Sequence, residues 1–414
     1  MTERRSLFDY EEIAGPIAVR QLQQLARELK GASVVHVNST RLGGGVAEIL
    51  NWLIPLKRNL GIDASWEIVE GNEPFFHTTK AFHNGLQGSP VSLPPSLLDS
   101  YERTLEENAE RLRPVLEAAD FVFIHDPQPA RLLNLCPARR GRWIWRCHID
   151  ASHPHRHVWK YLREQVRGFD ASVFSMADFA QPLSHPQFLI SPSIDPLAQK
   201  NIDLPEDEVR RIGQRFGIRD NVPVITQISR FDRFKDPLGV IKAFLILQES
   251  IDADLVLAGG GATDDPEGQA ILEEVRGAAE AHPRIHVLLL PSDDYRTINA
   301  LQRLSTIILQ KSLQEGFGLT VTEAMWKGKP VIGGNVGGIR LQVHNYHTGF
   351  LVDTPEGAAL RMREILRRPE KLNSMAQTAQ TFVRDNFLLT RHLREYLTLM
   401  LSLREGMTDH LFTV

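Results

Sequence analysis

Cysteine is nearly absent: Cys136 and Cys147 are the only two in 414 residues. So few exclude a disulfide framework, and their spacing is not the CxxC of a zinc site. Long apolar runs are missing too. No stretch approaches the roughly 18 apolar residues of a membrane span, and the opening "MTERRSLFDYEEIAG" is charged where a signal peptide is apolar. Neither sign of charge dominates, with 47 Lys and Arg against 51 Asp and Glu and a net charge of −4. That leaves no basic footprint for nucleic acid and no acidic tail. Low-complexity segments and short repeats are lacking as well. These absences predict a soluble, cytoplasmic protein that binds neither nucleic acid nor membrane.

What is present is alternation. Short β-branched runs read as buried strands at Ser33 to Asn38, Phe121 to His125, Arg142 to Cys147 and Ala171 to Ser175. Between them lie helical stretches such as "STRLGGGVAEILNWLIPL", with Val46, Ile49, Leu50 and Leu53 at helical spacing, and "LLDSYERTLEENAERLRPVLEAA". A second series, "VPVITQIS", "ADLVLAGGG", "RIHVLLL", "STIILQ" and "PVIGG", begins near residue 222. Strands alternating with helices predict a mostly parallel sheet covered on both faces. Two series predict an α/β protein of two doubly wound domains. The expected boundaries are 1–190, a Pro-, Asp- and Ser-rich linker over 191–204, a second domain over 205–385, and a helical tail over 386–414. Helicity is read from Arg384 to Glu405, with Leu393, Tyr396, Leu397 and Met400 on one face. That tail is expected to pack back across the domains, and a homodimer contact is left open for it.

Ligands of open α/β sheets bind beyond the carboxyl ends of the strands, so the residues that follow strands carry the weight. Three glycines, Gly43 to Gly45, follow the first strand and open a helix. They suit close approach of an anion and equally a flexible turn, and they form neither GxGxxG nor a Walker loop. His125 and Asp126 end one strand, and His148 and Asp150 follow another. Such pairs can hydrogen-bond sugar hydroxyls, although Asp126 before Pro127 also reads as a helix cap. His153, His155 and His157 cluster close to His148, but their spacing is not that of helical zinc ligands, so no metal is assigned. Arg230 and Lys235 follow "VPVITQIS" and suit a diphosphate. Cations before a helix are unfavourable unless an anion is near. In "QEGFGLTVTEAMWKGKPVIGG", Glu315 stands at a strand end and Gly316 and Gly318 make a turn. Glu323 then falls in a helix expected to end at Gly328. Two carboxylates invite a glycosidase reading, but the strand–turn–helix context suits a nucleotide held by phosphates and ribose. "DAD" at Asp252 to Asp254 leads straight into a strand and is rejected as a metal motif.

With "RFDRFKDP", "AGGG" and "EGFGLTVTEAMWKGKPVIGG" in this order, the second domain resembles the retaining GT-B glycosyltransferases of family 4, whose E-x7-E motif falls on Glu315 and Glu323. "VVHVNSTRLGGGVAEIL", "FIHDPQPA", "WRCHIDAS", "FSMADFAQP" and "SPSIDPLAQKN" resemble the trehalose synthase (glycosyltransferring) branch, to which retaining trehalose phosphorylases are close. The resemblance spans nearly the whole chain. It implies two Rossmann-like domains facing across a cleft, acceptor-binding first and nucleotide-sugar-binding second. It further implies reversible transfer of glucose from a nucleoside-diphosphate-glucose (ADP-, UDP- or GDP-glucose) to glucose, giving trehalose with retention and no metal or cofactor. The residues implied to act on the reacting group are His148, Arg230, Lys235 and Glu315. The donor would lie against Arg230, Lys235, Glu315, Gly316, Phe317, Gly318, Leu319 and Glu323. Glu315 would take the glucose and Glu323 the ribose. Gly44, Gly45, Asp126, His148 and Asp150 would meet acceptor or donor glucose. The acceptor's proton would pass to the leaving phosphate oxygen on the same face, so catalysis would rest on positioning and charge. One position departs from the wider family, which has glutamate two residues after "GGI"; here it is Leu341.

Three other readings compete. A retaining trehalose phosphorylase would use glucose 1-phosphate and tolerate loss of Glu323. A GT-B domain could bind nucleotide sugars without catalysis, against which the full set Arg230, Lys235, Glu315 and Glu323 argues. A nucleotide-sugar epimerase would have no use for the acceptor-side "HDPQP".

Overall fold

The structure is a computed structural model that describes residues 5–41, 44–260, 266–291 and 293–406. The chain divides into two compact units, Met1–Ser193 with Leu389–Val414, and Ile194–Leu388. The last helix, Leu389–Arg404, is thus counted with the first unit.

The first unit holds six strands: β1 (Ser33–Asn38), β2 (Asp63–Ile68), β3 (Phe121–His125), β4 (Arg142–Arg146), β5 (Ala171–Phe174) and β6 (Gln187–Leu189). They lie in the order β2-β1-β3-β4-β5-β6, every pair parallel. The second holds β7 (Val224–Ile228), β8 (Asp254–Gly259), β9 (Ile285–Leu289), β10 (Ile307–Gln310), β11 (Val331–Gly334) and β12 (Gly349–Val352). Their order is β12-β11-β10-β7-β8-β9, again parallel throughout. Counted from its own first strand, the second sheet has the 3-2-1-4-5-6 order of a doubly wound nucleotide-binding sheet. Each sheet reverses its winding at one place, between β1 and β3 and between β7 and β10. Ligand crevices open at such switch points.

The apolar strand interiors explain why both faces are covered. In the first unit Trp143, Trp145 and Phe174 are fully buried against helices carrying Phe75, Phe82, Leu105 and Leu162, and Phe123 stacks against His36 and Tyr396. In the second, Ile225, Leu255, Leu257 and Leu309 pack with Val240, Phe244 and Met362. Each such side chain contributes about 1.5–3 kcal/mol. Cys136 and Cys147 are both buried thiols.

The nine strands expected from the sequence are all present. Three others were not anticipated: β2, β6 and β12. The helical tail differs as well. Rather than one helix from Arg384, the chain forms Pro369–Asn386, breaks at Phe387 and Leu388, and restarts as Leu389–Arg404. The break is fastened by the Ile194 amide, which donates to the Phe387 carbonyl at 2.9 Å. Leu393, Tyr396, Leu397 and Met400 are buried together, as their spacing predicted.

Candidate active site

In the second unit the switch between β7 and β10 gathers the charged residues that follow those strands. Lys235 closes a short 3₁₀ turn, Arg233–Lys235, and its Nζ donates to Glu315 Oε2 at 2.6 Å. Ser312 Oγ donates to the same oxygen at 3.3 Å. A cation placed before the helix Pro237–Gln248 is therefore met by a carboxylate from the neighbouring strand end. Arg230 is more open, 66% exposed, with Asp232 Oδ2 beside it at 3.4 Å. Lys311, after β10, pairs with Asp236, whose carboxylate also caps Pro237–Gln248 through the Gly239 amide at 3.2 Å.

Gly318 of "EGFG" answers to close packing. Gly318 has φ +85° and precedes the helix Leu319–Trp326; a Cβ there would meet Glu315 Cγ at 3.2 Å. Gly338 lies against the same turn, where a Cβ would come within 2.5 Å of Phe317 Cα and 2.7 Å of the Gly316 carbonyl oxygen. Gln342 ties these pieces together. Fully buried, it donates to the Phe317 carbonyl at 2.6 Å and the Gly338 carbonyl at 3.2 Å, and accepts from Thr322 Oγ1 at 2.6 Å. Leu319 opens the helix, which ends in a Schellman motif: Gly328, at φ +66°, donates to Met325 O, and Lys329 donates to Ala324 O, both at 3.0 Å.

Glu315 keeps a small part of its side chain exposed, whereas Glu323 is buried more deeply. Its carboxylate is fully buried, with Lys200 Nζ 2.8 Å from Oε1 and Gln302 Nε2 donating to Oε2 at 3.1 Å. Burial alone would raise its pKa; Lys200 and then Lys327 outweigh that and hold it below the ordinary carboxylate range. Lys200 comes from the stretch the sequence marked as linker.

In the first unit, β3 and β4 bring His125, Asp126 and His148 together. Asp126 takes the left-handed conformation, φ +63°, uncommon outside glycine. It is held there by its amide on Arg146 O (2.8 Å), by Trp145 Nε1 on its carbonyl (3.1 Å) and by the His148 amide on Oδ1 (2.6 Å). It caps no helix, so that alternative fails. Burial pushes its carboxyl up to about 7, against the pull of the His148 amide and Arg146. His148 Nε2 lies 3.0 Å from His125 Nδ1. Burial, with Arg146 next in weight, holds His125 down at about 3 and His148 well below its ordinary value. Asp150 stands apart from this group; its Oδ1 accepts from the Ser152 amide and hydroxyl at 3.0 and 2.6 Å. Gly44, at φ +79°, and Gly45 open the helix Gly44–Asn59, while Gly43 lies outside the described residues, as does Gly261 of "AGGG".

Two polar groups near these strands escaped the sequence reading. His36, inside β1, and Lys57, in the helix after it, are fully buried and bonded at 2.8 Å. A lone histidine in "VVHVN" and a lysine closing "LIPLK" look like an ordinary core residue and an ordinary helix end.

"DAD" is accounted for without a metal. Arg219 donates from both Nη atoms to Asp252 at 2.7 Å, and from Nε and Nη2 to Asp254 at 3.0 and 2.7 Å. His153 and His157 are exposed, and His155 precedes the helix Arg156–Val166. Among the described residues no three His, Cys, Asp or Glu side chains are placed to hold a metal ion, and no helix is long and apolar enough to cross a membrane.

Comparison with known proteins bears on both units. Residues 36–181 match the family model described as "Trehalose synthase, N-terminal domain", and residues 208–382 match "Glycosyl transferases group 1". A trehalose synthase of Pyrococcus horikoshii is 43% identical over 405 residues, covering 97% of either chain. The chain belongs to the trehalose synthase family of group 1 glycosyltransferases. A trehalose phosphorylase of Pleurotus pulmonarius is more distant, 29% identical, matching 92% of this chain but only 58% of its own length. Among solved structures, sucrose-phosphate synthase from Thermosynechococcus elongatus superposes with a TM-score of 0.70 at 16% identity, covering 91% of this chain and 100% of that one. The two parallel six-stranded sheets with their helices are the GT-B fold of this family.

Proposed function

We propose that the protein transfers glucose from a nucleoside-diphosphate-glucose to glucose, forming trehalose reversibly and with retention, without metal or cofactor. The first unit takes the acceptor and the second the nucleotide sugar. The observation that carries this reading is the pair Lys235–Glu315 at the β7/β10 switch, 2.6 Å apart and flanked by the Gly316–Gly318 turn. A cation there serves the leaving diphosphate. A carboxylate beside it serves the hydroxyls of the glucose being transferred.

In this reading Arg230 and Lys235 neutralise the diphosphate, Arg230 bidentately and Lys235 as a point charge. The helix beginning at Leu319, with the Gly316, Phe317 and Gly318 turn before it, offers backbone amides to the phosphates. Glu315 orients the donor glucose. Glu323 receives the ribose, which replaces Lys200 or Gln302 on one carboxylate oxygen. His148 bonds the glucosyl group near its reacting carbon, and Asp126, with Gly44 and Gly45, shapes the acceptor pocket. As the bond from the anomeric carbon to the phosphate oxygen breaks, that oxygen takes the proton of the incoming glucose hydroxyl on the same face. The protein's share is alignment and stabilisation of developing charge. A nucleotide-sugar donor places this reaction in the cytoplasm.

The test is product identity. Protein stripped with EDTA is incubated with glucose and ADP-, UDP- or GDP-glucose, and the disaccharide is read by NMR. A non-reducing product with both anomeric carbons in the α configuration is expected. Absence of product with all three donors, or activity that returns only with a divalent ion, overturns the reading.

A further inference from the structure

Four side chains of the first unit form one continuous hydrogen-bonded line, of which the proposed chemistry uses only the end. Lys57 Nζ is 2.8 Å from His36 Nε2, His36 Nδ1 is 2.9 Å from His125 Nε2, and His125 Nδ1 is 3.0 Å from His148 Nε2. Lys57 and His36 are fully buried and His125 nearly so, whereas His148 is partly exposed. Lys57 has no carboxylate partner among the described residues. Its other neighbours are the ring faces of Phe123 and Tyr396, 4.9 and 5.0 Å from Nζ. Two ring faces return only part of the cost of burying an ammonium. Packing alone gives no reason for a lysine there.

A neutral imidazole carries one N–H and one lone pair, so three in series have few arrangements. An ammonium can only donate. With Lys57 charged, His36 accepts at Nε2 and donates from Nδ1. His125 then accepts at Nε2 and donates from Nδ1. His148 accepts at Nε2 and bears its proton on Nδ1, the nitrogen outside the line. An amine can also accept, so loss of the Lys57 proton makes the reversed order available, with His148 Nδ1 a bare lone pair. Burial holds the three histidines neutral and brings Lys57 down to about 7. The other charged or titratable groups against the line include Arg146, which faces His125 and His148, Asp126, whose Oδ1 accepts from the His148 amide at 2.6 Å, and His392 and Tyr396 from the last helix. Burial holds His392 well down, raises Tyr396, and lifts the Asp126 carboxyl to about 7.

We propose that Lys57, His36 and His125 are positioning residues that set the polarity of His148 at the sugar site. A charged Lys57 locks His148 as an Nδ1–H donor, and a neutral one lets the line reverse. The protons balance. One proton entering at His148 Nδ1 moves one proton across each link and emerges on Lys57 as the ammonium. The proposal rests on the reading of His148 as a contact to the reacting glucose for its consequence, though not for its geometry.

The test is read first without substrate. In full-length protein with ¹⁵N-labelled histidine, the ring signals of His36, His125 and His148 should show the Nδ1–H tautomer at low pH. They should leave it together, with one shared midpoint, as pH rises through neutrality. An Nε2–H tautomer at low pH for any of the three, or separate midpoints, overturns the proposal whether or not the protein makes trehalose. Lys57→Met should abolish the shared transition. It should also lower kcat by about tenfold or more with the donor KM little changed, and remove one limb of the pH profile. A variant that keeps the shared transition, or that alters KM alone, also overturns it. If that variant fails to fold, the wild-type spectra decide.

Discussion

Lys235 Nζ lies 2.6 Å from Glu315 Oε2, which joins the turn after β7 to the end of β10. Each residue fixes the other, so their losses should not add. Glu315→Ala and Lys235→Ala are each expected to lower kcat/KM by about 100-fold or more. The double variant should be little worse than the poorer single. Arg230→Ala should abolish transfer as well. Its partner among the described residues is the half-buried Asp232 carboxylate at 3.4 Å, while Arg230 itself is mostly exposed, so the variant's melting temperature should stay near wild type. Steady-state kinetics with thermal unfolding check all four.

Gly318 and Gly338 hold the turn that presents Glu315. Gly318→Ala forces a side chain into φ +85° and against Glu315 Cγ. It is expected to cost about 1 kcal/mol of stability and at least tenfold in activity. Gly338→Ala meets backbone at 2.5 Å, which cannot give way as a flexible side chain can. It should lower the melting temperature further than Gly318→Ala does.

Gln342 satisfies two carbonyls and one hydroxyl in a fully buried place. Gln342→Leu leaves those groups unpaired, a loss of roughly 2 kcal/mol. Activity should fall with it, through the displaced Phe317–Gly318 turn. Unchanged unfolding in urea would contradict this account of the turn.

Asp126 supplies a pH signature. Its carboxyl, raised to about 7 in the folded chain, stays protonated where an unfolded aspartate has ionised. The stability this contributes is full below about pH 4, the unfolded value, and is lost as pH rises through about 7. Asp126→Asn can still accept from the His148 amide and does not titrate. The melting-temperature advantage of wild type over Asp126→Asn should therefore shrink steadily from pH 4 to 7. Parallel curves would contradict it.

The Arg219 clamp on Asp252 and Asp254 marks "DAD" as structural. Arg219→Ala removes the side-chain donors from Asp254 at the start of a buried strand, leaving it the residue-219 amide, and should lower the melting temperature by roughly 5 °C. EDTA should leave both stability and transfer unchanged, and His155→Ala should do little to activity.

The central strands were legible because burial on both faces demands unbroken apolar runs. The three that were not, β2, β6 and β12, are all sheet edges. "DASWEI" is polar at every second position, and Gln187–Leu189 is three residues long. Strand ends located Glu315, Lys235, Arg230 and Asp126, since the polar residue after an apolar run is visible in the sequence. Partners that come from elsewhere in the chain were not. Lys200 looked like linker, and Lys57 like the charged end of a helix. Gln342 had no pattern at all. The break at Phe387 and Leu388 was hidden because both segments are helical, and the pairing with Ile194 that marks it joins residues far apart in the chain.

The most direct test of the nucleotide-sugar reading sets two donors and two proteins side by side. Initial rates of trehalose formation are measured from nucleoside-diphosphate-glucose and from glucose 1-phosphate, with glucose as acceptor, for wild type and Glu323→Gln. The account predicts product from the nucleotide donor only, with the donor KM of Glu323→Gln raised about tenfold or more. Product from glucose 1-phosphate alone, with Glu323→Gln as active as wild type, would contradict it and make the protein a phosphorylase.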